Sequence, residues 1–280
     1  NLADSIYIGY TFKVEPVQPG AEILIAELGF SGFESFVETP DGVIAYIQKS
    51  DHFEAILDSV QILNSEEFEI TYDFETIAQT NWNAEWEKNF NPILVDDQCA
   101  IRAPFHEPFD VKYDIIIEPK MSFGTGHHET TFLMSKELFS IDLEGVALLD
   151  MGSGTGVLAI LAEKLGAKNI KAIDIEEGAY LNTIDNCKLN NTKNIIVEKG
   201  DSKLLEDSLF QVILANINKN ILLQDISVYS KSLKIGGKLL LSGFFTTDVD
   251  ELRNIASNNG LKFVKVEEKN NWAMLLLEKL

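Results

Sequence analysis

From residue 146 onward, the chain alternates short apolar runs with segments of helical spacing, and this alternation constrains the fold more than any other feature. We predict strands at residues 146–149, 170–175, 195–198, 211–215 and 238–242, and helices from Gly156 and over residues 178–190, 221–233 and 248–258. Such βαβ units form a parallel, doubly wound sheet. The last two strands, residues 261–266 and 272–277, are too close for a crossover helix, so a hairpin closes the sheet with one antiparallel strand.

A glycine-rich turn follows the first strand of this series. Its sequence, DMGSGTG from Asp150, places Gly152, Gly154 and Gly156 where the backbone can approach a ligand closely, in front of a helix that offers unpaired N–H groups. The spacing satisfies DxGxGxG, whereas the GxGxxG of dinucleotide-binding proteins fails at Val157. Because GxxxxGK[ST] does not occur either, we predict a cofactor contact rather than a phosphate cradle.

Polar residues stand at the ends of the next three strands. Asp174 lies 22 residues after Gly152, where an acid that holds a ribose diol is expected, with Glu176 as the alternative. Asp201 follows the third strand, where it could accept a hydrogen bond from an adenine amino group, and Asn216 ends the fourth. Each could simply cap a helix. Their occurrence at successive strand ends favours a binding site.

The first 75 residues form a separate, strongly acidic region with a net charge of −13, against −8 for the rest of the chain. Strand-like residues 7–15, a helix at 21–28, a hairpin of 33–38 and 42–48 around a Pro-Asp-Gly turn, a helix at 51–63 and a strand at 68–74 give the order βαββαβ. We predict a ferredoxin-like α+β domain. RNA binding is disfavoured, because the aromatic and basic signature of RNA-recognition domains is missing and the acids would repel phosphates.

Residues 76–92 are predicted to be a helical linker, with Trp82, Trp86 and Phe90 on one face; an anchored linker and a hinge remain open alternatives. Residues 93–280 form the second domain. The net charge of −21 argues against nucleic acid or an anionic membrane as a direct partner and favours a basic one. The unpaired Cys99 and Cys187, and a start without a basic segment before a long apolar one, lead us to expect a cytoplasmic protein without a secretory signal.

These features together resemble one class, the S-adenosylmethionine-dependent methyltransferases with a Rossmann-like seven-stranded sheet whose last strand is antiparallel. Within it, FGTGHHETT at residues 123–131, Trp82-x-x-x-Trp86 and Ala215-Asn216-Ile217 resemble the ribosomal protein L11 methyltransferase family, over essentially the whole chain. The resemblance implies that the small N-terminal domain recognises the substrate. It also implies methyl transfer to the α-amine and lysine ε-amines of L11, a basic protein of the large ribosomal subunit.

The family's cofactor positions fall on Thr131, Gly152, Asp174 and Asn216. The sequence departs from the family after Asn216, where Ile-Asn-Lys replaces the more usual Ile-Leu-Ala, in the region of the acceptor pocket that we expect near Asn216 and His127. The sequence nominates no general base, because a neutral amine can attack the methyl group unaided once it is deprotonated. HExxH is absent around His128, so we predict no metal.

Two other functions stay open at this stage. A small-molecule methyltransferase would share residues 145–280 but would not need a 75-residue acidic domain. A non-enzymatic, cofactor-binding interaction protein would share the acidic region and show no turnover.

Overall fold

The structure is a computed structural model that describes residues 6–77, 90–118 and 128–280. The chain divides into two compact units, residues 1–90 and residues 91–280. Most of the predicted linker, including Trp82 and Trp86, lies outside the described residues. Residues 76 and 77 belong to the last strand of the first unit. None of the described helices is long and apolar enough to cross a membrane.

The first unit contains an antiparallel sheet of four strands with the order β2-β3-β1-β4. Its elements are β1 (Tyr7–Glu15), α1 (Val17–Phe30), β2 (Ser35–Thr39), β3 (Gly42–Gln48) and β4 (Glu69–Ile77). The β2–β3 hairpin closes at the Thr39–Gly42 pair around Pro40 and Asp41, as the turn residues predicted. This strand order is that of a ferredoxin-like sheet, which confirms the prediction for the strands and the first helix.

The described residues 51–63 do not form a helix, so the prediction of a helix over this segment is wrong. Two 3₁₀ turns, Ile56–Ser59 and Gln61–Asn64, occupy the segment. The backbone of Val60 is extended between them, and the Ile62 N–H donates to the Glu27 carboxylate at 3.0 Å. In this arrangement Ile56, Val60 and Ile62 are all buried in the core. Tertiary packing therefore satisfies the apolar spacing without a continuous helix.

The second unit begins with a small sheet that the sequence did not predict. Strands β5 (Ile93–Val95) and β6 (Cys99–Arg102) pair antiparallel, and β7 (Tyr113–Ile116) pairs parallel with β6. The buried Arg102 guanidinium donates to both oxygens of Asp114, with Nε 2.8 Å from Oδ1. Cys99 and Cys187 are both free and buried.

A seven-stranded sheet, with the order β10-β9-β8-β11-β12-β14-β13, forms the body of this unit. Its elements are α2 (His128–Leu138), β8 (Leu148–Met151), α3 (Val157–Lys164), β9 (Ile170–Asp174), α4 (Glu177–Leu189), β10 (Ile195–Lys199), β11 (Phe210–Asn216), α5 (Lys219–Lys231), β12 (Leu233–Phe245), α6 (Val249–Asn258), β13 (Leu261–Lys269) and β14 (Trp272–Lys279). Strand β14 pairs antiparallel with both β12 and β13, whereas the other neighbours pair in parallel. The predicted Rossmann-like sheet with an antiparallel last strand is confirmed.

Helices cover both faces of this sheet. Leu148 belongs to a core that includes α2 and α3, while its neighbour Leu149 belongs to a core that includes α5 and α6. Successive residues of a strand point to opposite faces, so a strand buried on both sides must be apolar throughout. This double burial explains the uninterrupted apolar runs that predicted the strands.

Candidate active site

The glycine-rich turn joins β8 to α3 and adopts left-handed backbone conformations at all three glycines. Gly152 has φ +71°, and a Cβ atom there would clash with Cγ2 of Ile217. Gly154 has φ +57°, and a Cβ atom there would meet nothing within 4 Å. Gly152 is therefore required by close packing, whereas Gly154 lies on the open side of the turn, where a ligand can approach the backbone. Gly156 precedes α3.

Asp150, the acid of this motif, is buried beneath the turn. Its Oδ2 accepts a hydrogen bond from the N–H of Ala159 in the first turn of α3, at 3.2 Å. The pKa of Asp150 is raised to about 7, mainly by loss of hydration; the hydrogen bond from Ala159 lowers it, and the neighbouring Asp174 carboxylate contributes to the rise. Asp150 thus supports the helix that follows the glycines and does not face the open side of the turn.

Asp174 is bonded directly to the glycine-rich turn. Its Oδ2 accepts the N–H of Gly154 at 2.9 Å, and its Oδ1 accepts the N–H of Glu176 at 3.0 Å. Each carboxylate oxygen can accept a second hydrogen bond, so Asp174 can hold the turn and still bind hydroxyl groups of a ligand. Glu176, the alternative, is exposed at the N-terminus of α4. The geometry favours Asp174 as the diol-binding acid, and that role stays a prediction.

Strand register brings three predicted residues side by side. Met151 pairs with Ile173 of β9 and with Ala215 of β11, so the next residue of each strand, Gly152, Asp174 and Asn216, stands in one row. Ligands of open α/β sheets bind outside the carboxyl ends of the strands, where the strand order reverses. Since the order reverses between β8 and β11, this row lies at that point.

Asp201 and Thr131, two further predicted cofactor residues, lie outside this row. Asp201 follows β10, is half-buried, and accepts the N–H of Lys203 at 2.9 Å as the cap of the 3₁₀ turn Ser202–Leu205. Asp201 therefore caps this turn, and its contact with an adenine amino group stays a prediction. Thr131 is half-buried in the first turn of α2, which packs against the sheet.

The structure describes only the last four residues of the signature at residues 123–131, which begin α2. Residues 128–131 are helical. His127, for which we predicted a place near the acceptor pocket, lies outside the described residues together with 119–126. Within the described ranges, no group of three His, Cys, Asp or Glu residues could hold a metal ion.

Sequence reasoning missed a ladder of asparagines, Asn182, Asn186 and Asn190, buried along one side of α4. Asn186 is its central member. Its Nδ2 donates to the Thr155 carbonyl of the glycine-rich turn at 2.8 Å, and its Oδ1 accepts the Glu118 N–H at 2.8 Å. One side chain therefore joins the turn to the segment that leaves β7.

Asn190 fixes the same segment one turn further along α4. Its Oδ1 accepts the Ile116 N–H at 3.0 Å, and its Nδ2 donates to the Ile116 carbonyl at 2.6 Å. The signal in the sequence was the four-residue spacing of three asparagines, which places amides on one helix face. A buried amide needs a polar partner, and for Asn186 and Asn190 the partners are backbone groups outside α4.

The arrangement can hold a nucleoside-like cofactor. Asp174 offers acceptors to a ribose, Gly154 offers a turn that a ligand can approach, and Asn216 faces the same row from the neighbouring strand. Among the residues that the structure describes, the row offers backbone and hydrogen-bonding contacts, which fits S-adenosylmethionine.

Comparisons with known proteins agree with this geometry. The family model described as Ribosomal protein L11 methyltransferase (PrmA) matches residues 27–279. Ribosomal protein L11 methyltransferases of Bacteroides fragilis and Porphyromonas gingivalis are 45% and 44% identical to this chain, covering 95% and 96% of it and 97% and 96% of their own length.

Among solved structures, the ribosomal protein L11 methylase of Lactobacillus delbrueckii subsp. bulgaricus matches with a TM-score of 0.61 and 26% identity, covering 68% of this chain and 98% of that one. A methyltransferase of Pyrococcus furiosus, 19% identical with a TM-score of 0.50 over 58% of this chain and 88% of that one, shares the fold. With a family model that spans most of its length and relatives of this identity, the chain belongs to the ribosomal protein L11 methyltransferase family.

Proposed function

We propose that this protein transfers methyl groups from S-adenosylmethionine to amines of ribosomal protein L11, the α-amine and lysine ε-amines. The observation that carries the proposal is the row of Gly152, Asp174 and Asn216 at the reversal point of the sheet, in a chain of this family. When bound there, S-adenosylmethionine supplies an electrophilic methyl group on a sulfonium.

The chain's own residues bind the cofactor and orient it for the reaction. Asp174 accepts hydrogen bonds from the ribose hydroxyls, and Gly152, Gly154 and Gly156 allow the backbone to approach the cofactor. Asp201 accepts from the adenine amino group. Thr131 and Asn216 complete the set, with Asn216 nearest the amine to be methylated.

The acceptor amine must be neutral before it can react. A lysine ammonium has a pKa near 10.4 in water, and transfer into a site with little water lowers that pKa because the charged form loses hydration. Correct positioning then supplies most of the rate enhancement, and no general base is required.

The division of labour follows the two regions of the chain. Residues 1–75 form the acidic, substrate-recognising domain, residues 76–92 the linker, and residues 93–280 the methyltransferase domain. A net charge of −13 on the first region attracts a basic ribosomal protein and disfavours direct contact with nucleic acid or an anionic membrane. We place the reaction in the cytoplasm.

Mass spectrometry tests the proposal. Unmodified L11 is incubated with the protein and S-adenosylmethionine that carries a labelled methyl group, and we expect label on the α-amine and on lysines. Free amino acids and small amines serve as the control substrates. Label on these but not on L11 would favour a small-molecule methyltransferase, and bound cofactor without any transfer would favour a binding protein.

A further inference from the structure

Helix α1 packs against β1 and β3 on the core face of the four-stranded sheet of the first unit. The two 3₁₀ turns at residues 56–64 contribute buried residues to the same core. On the outer strand β4, Tyr72 and Phe74 point to the same face and remain 45% and 59% exposed. Two large aromatic side chains thus lie in solvent beside a buried core.

Buried aromatic rings of the neighbouring strand β1 hold these exposed rings in place. The β1–β4 register sets Phe74 opposite Tyr10 and Tyr72 opposite Phe12. The Tyr10 and Phe74 rings stack with centroids 4.9 Å apart, and the Phe12 and Tyr72 centroids are 5.5 Å apart. Both supporting rings are buried. Because the outer rings already occupy fixed positions, a partner that binds them loses little side-chain entropy from this surface.

The segment before β4 extends the patch. The Tyr10 hydroxyl is 2.7 Å from Nε2 of His52, and the His52 ring lies 6.2 Å from that of Phe74. The adjacent Phe53 is 58% exposed. We call the three exposed rings of Phe53, Tyr72 and Phe74 the β4 aromatic surface.

The charge around this surface has one sign. Residues 51–77 contain eight Asp and Glu and no Lys or Arg. Exposed Asp51 and Glu54 lie on either side of His52 and Phe53 in the chain, whereas Asp73 and Glu75 alternate with the rings on β4 and therefore point to the opposite face of the strand. Aromatic faces attract cations, and neighbouring carboxylates reinforce that attraction while they repel phosphates.

We propose that the β4 aromatic surface is the docking site for a Lys- or Arg-bearing surface of the protein substrate, an inference that rests on the proposed function. The partner's cationic side chains lie over the rings of Tyr72 and Phe74, and the carboxylates of Asp51 and Glu54, next to His52 and Phe53, attract their charges. Residues 51–63 form two 3₁₀ turns instead of a helix, and the rings of Tyr72 and Phe74 are exposed to a partner.

The test uses the full-length double variant Tyr72→Ser/Phe74→Ser in methylation of L11. We expect KM for L11 to rise by about tenfold or more, the usual effect of removing aromatic anchors, while kcat and the Kd for S-adenosylmethionine stay unchanged. Phe30→Ser is the matched control, since Phe30 is a 96% exposed aromatic at the end of α1 in the same unit, and its kinetic constants should equal those of the unsubstituted protein.

A second variant separates docking from folding. Phe74→Leu keeps an apolar side chain over Tyr10 but removes the aromatic face, so KM for L11 should still rise several-fold while the thermal midpoint changes little. If KM for both β4 variants equals that of Phe30→Ser while the unsubstituted protein modifies L11, the docking proposal is overturned and the proposed function stands. If the unsubstituted protein does not modify L11, the proposed function itself fails.

Discussion

Asp150 makes the stability of the second unit depend on pH in a direction opposite to that of a salt-bridged carboxylate. The side chain is 2% exposed and accepts one backbone hydrogen bond, from Ala159. Burial raises its pKa from 3.8 to about 7, so the native state holds a proton that the unfolded chain releases. Asp150→Asn keeps an acceptor oxygen for Ala159 and removes the titration.

The magnitude follows from linkage. A group whose pKa is raised by folding stabilises the protein fully below its unfolded pKa, and that contribution is lost as pH rises through the folded pKa. At about 1.4 kcal/mol per pH unit, the two units between about pH 5 and about pH 7 amount to roughly 3 kcal/mol. The free energy of unfolding of Asp150→Asn, minus that of the unsubstituted protein, should therefore increase by roughly this amount over the interval.

Urea denaturation at a series of pH values measures the free energies of unfolding of Asp150→Asn and of the unsubstituted protein. Titration of the groups that both proteins share cancels in the difference between these free energies. Asp207→Asn is the matched control. Asp207 is exposed, and its φ of +61° is a conformation that Asn adopts as readily as Asp. A difference for Asp150→Asn that rises no more steeply with pH than that of the control would refute the argument that burial sets the protonation of this carboxyl.

Four further outcomes are expected. Asp174→Ala should weaken binding of S-adenosylmethionine by about tenfold to a hundredfold, the range for lost hydrogen bonds to a charged group; unchanged affinity in calorimetry would contradict its role. Gly152→Ala should lower the thermal midpoint because of the Ile217 contact, whereas Gly154→Ala should weaken cofactor binding with a smaller loss of stability. If Gly154→Ala lowers the thermal midpoint more than Gly152→Ala, the argument that Gly154 lies on the open side of the turn is wrong. Asn186→Ala should reduce both the free energy of unfolding and cofactor affinity, since it leaves the Thr155 carbonyl and the Glu118 N–H unpaired at about 1 to 3 kcal/mol each; denaturation and calorimetry that show neither effect would argue against the bridge. Added salt should lower kcat/KM for L11 more steeply than kcat, because screening acts on the encounter; parallel declines in steady-state kinetics would count against steering.

The sequence by itself determined the features that rest on local periodicity and on turn chemistry. Continuous apolar runs marked strands that are buried on both faces, and the short link before β14 required a hairpin. The glycines of the turn and the acid at the end of β9 could be placed because parallel strands end at the same edge of a sheet. Their side-by-side placement then followed from the strand order that the structure has.

Only the tertiary structure decided features that depend on partners distant in sequence. The apolar spacing of residues 51–63 is compatible with a helix, but burial of Ile56, Val60 and Ile62 against the sheet and a bond to Glu27 select two 3₁₀ turns. Asn186 bonds to backbone 68 residues earlier in the chain, and periodicity carries no information about such a pair. The exposure of Tyr72 and Phe74 is likewise a tertiary result. Alternation placed them on the core face of β4, and only their packing against Phe12 and Tyr10 in the structure shows that they remain exposed.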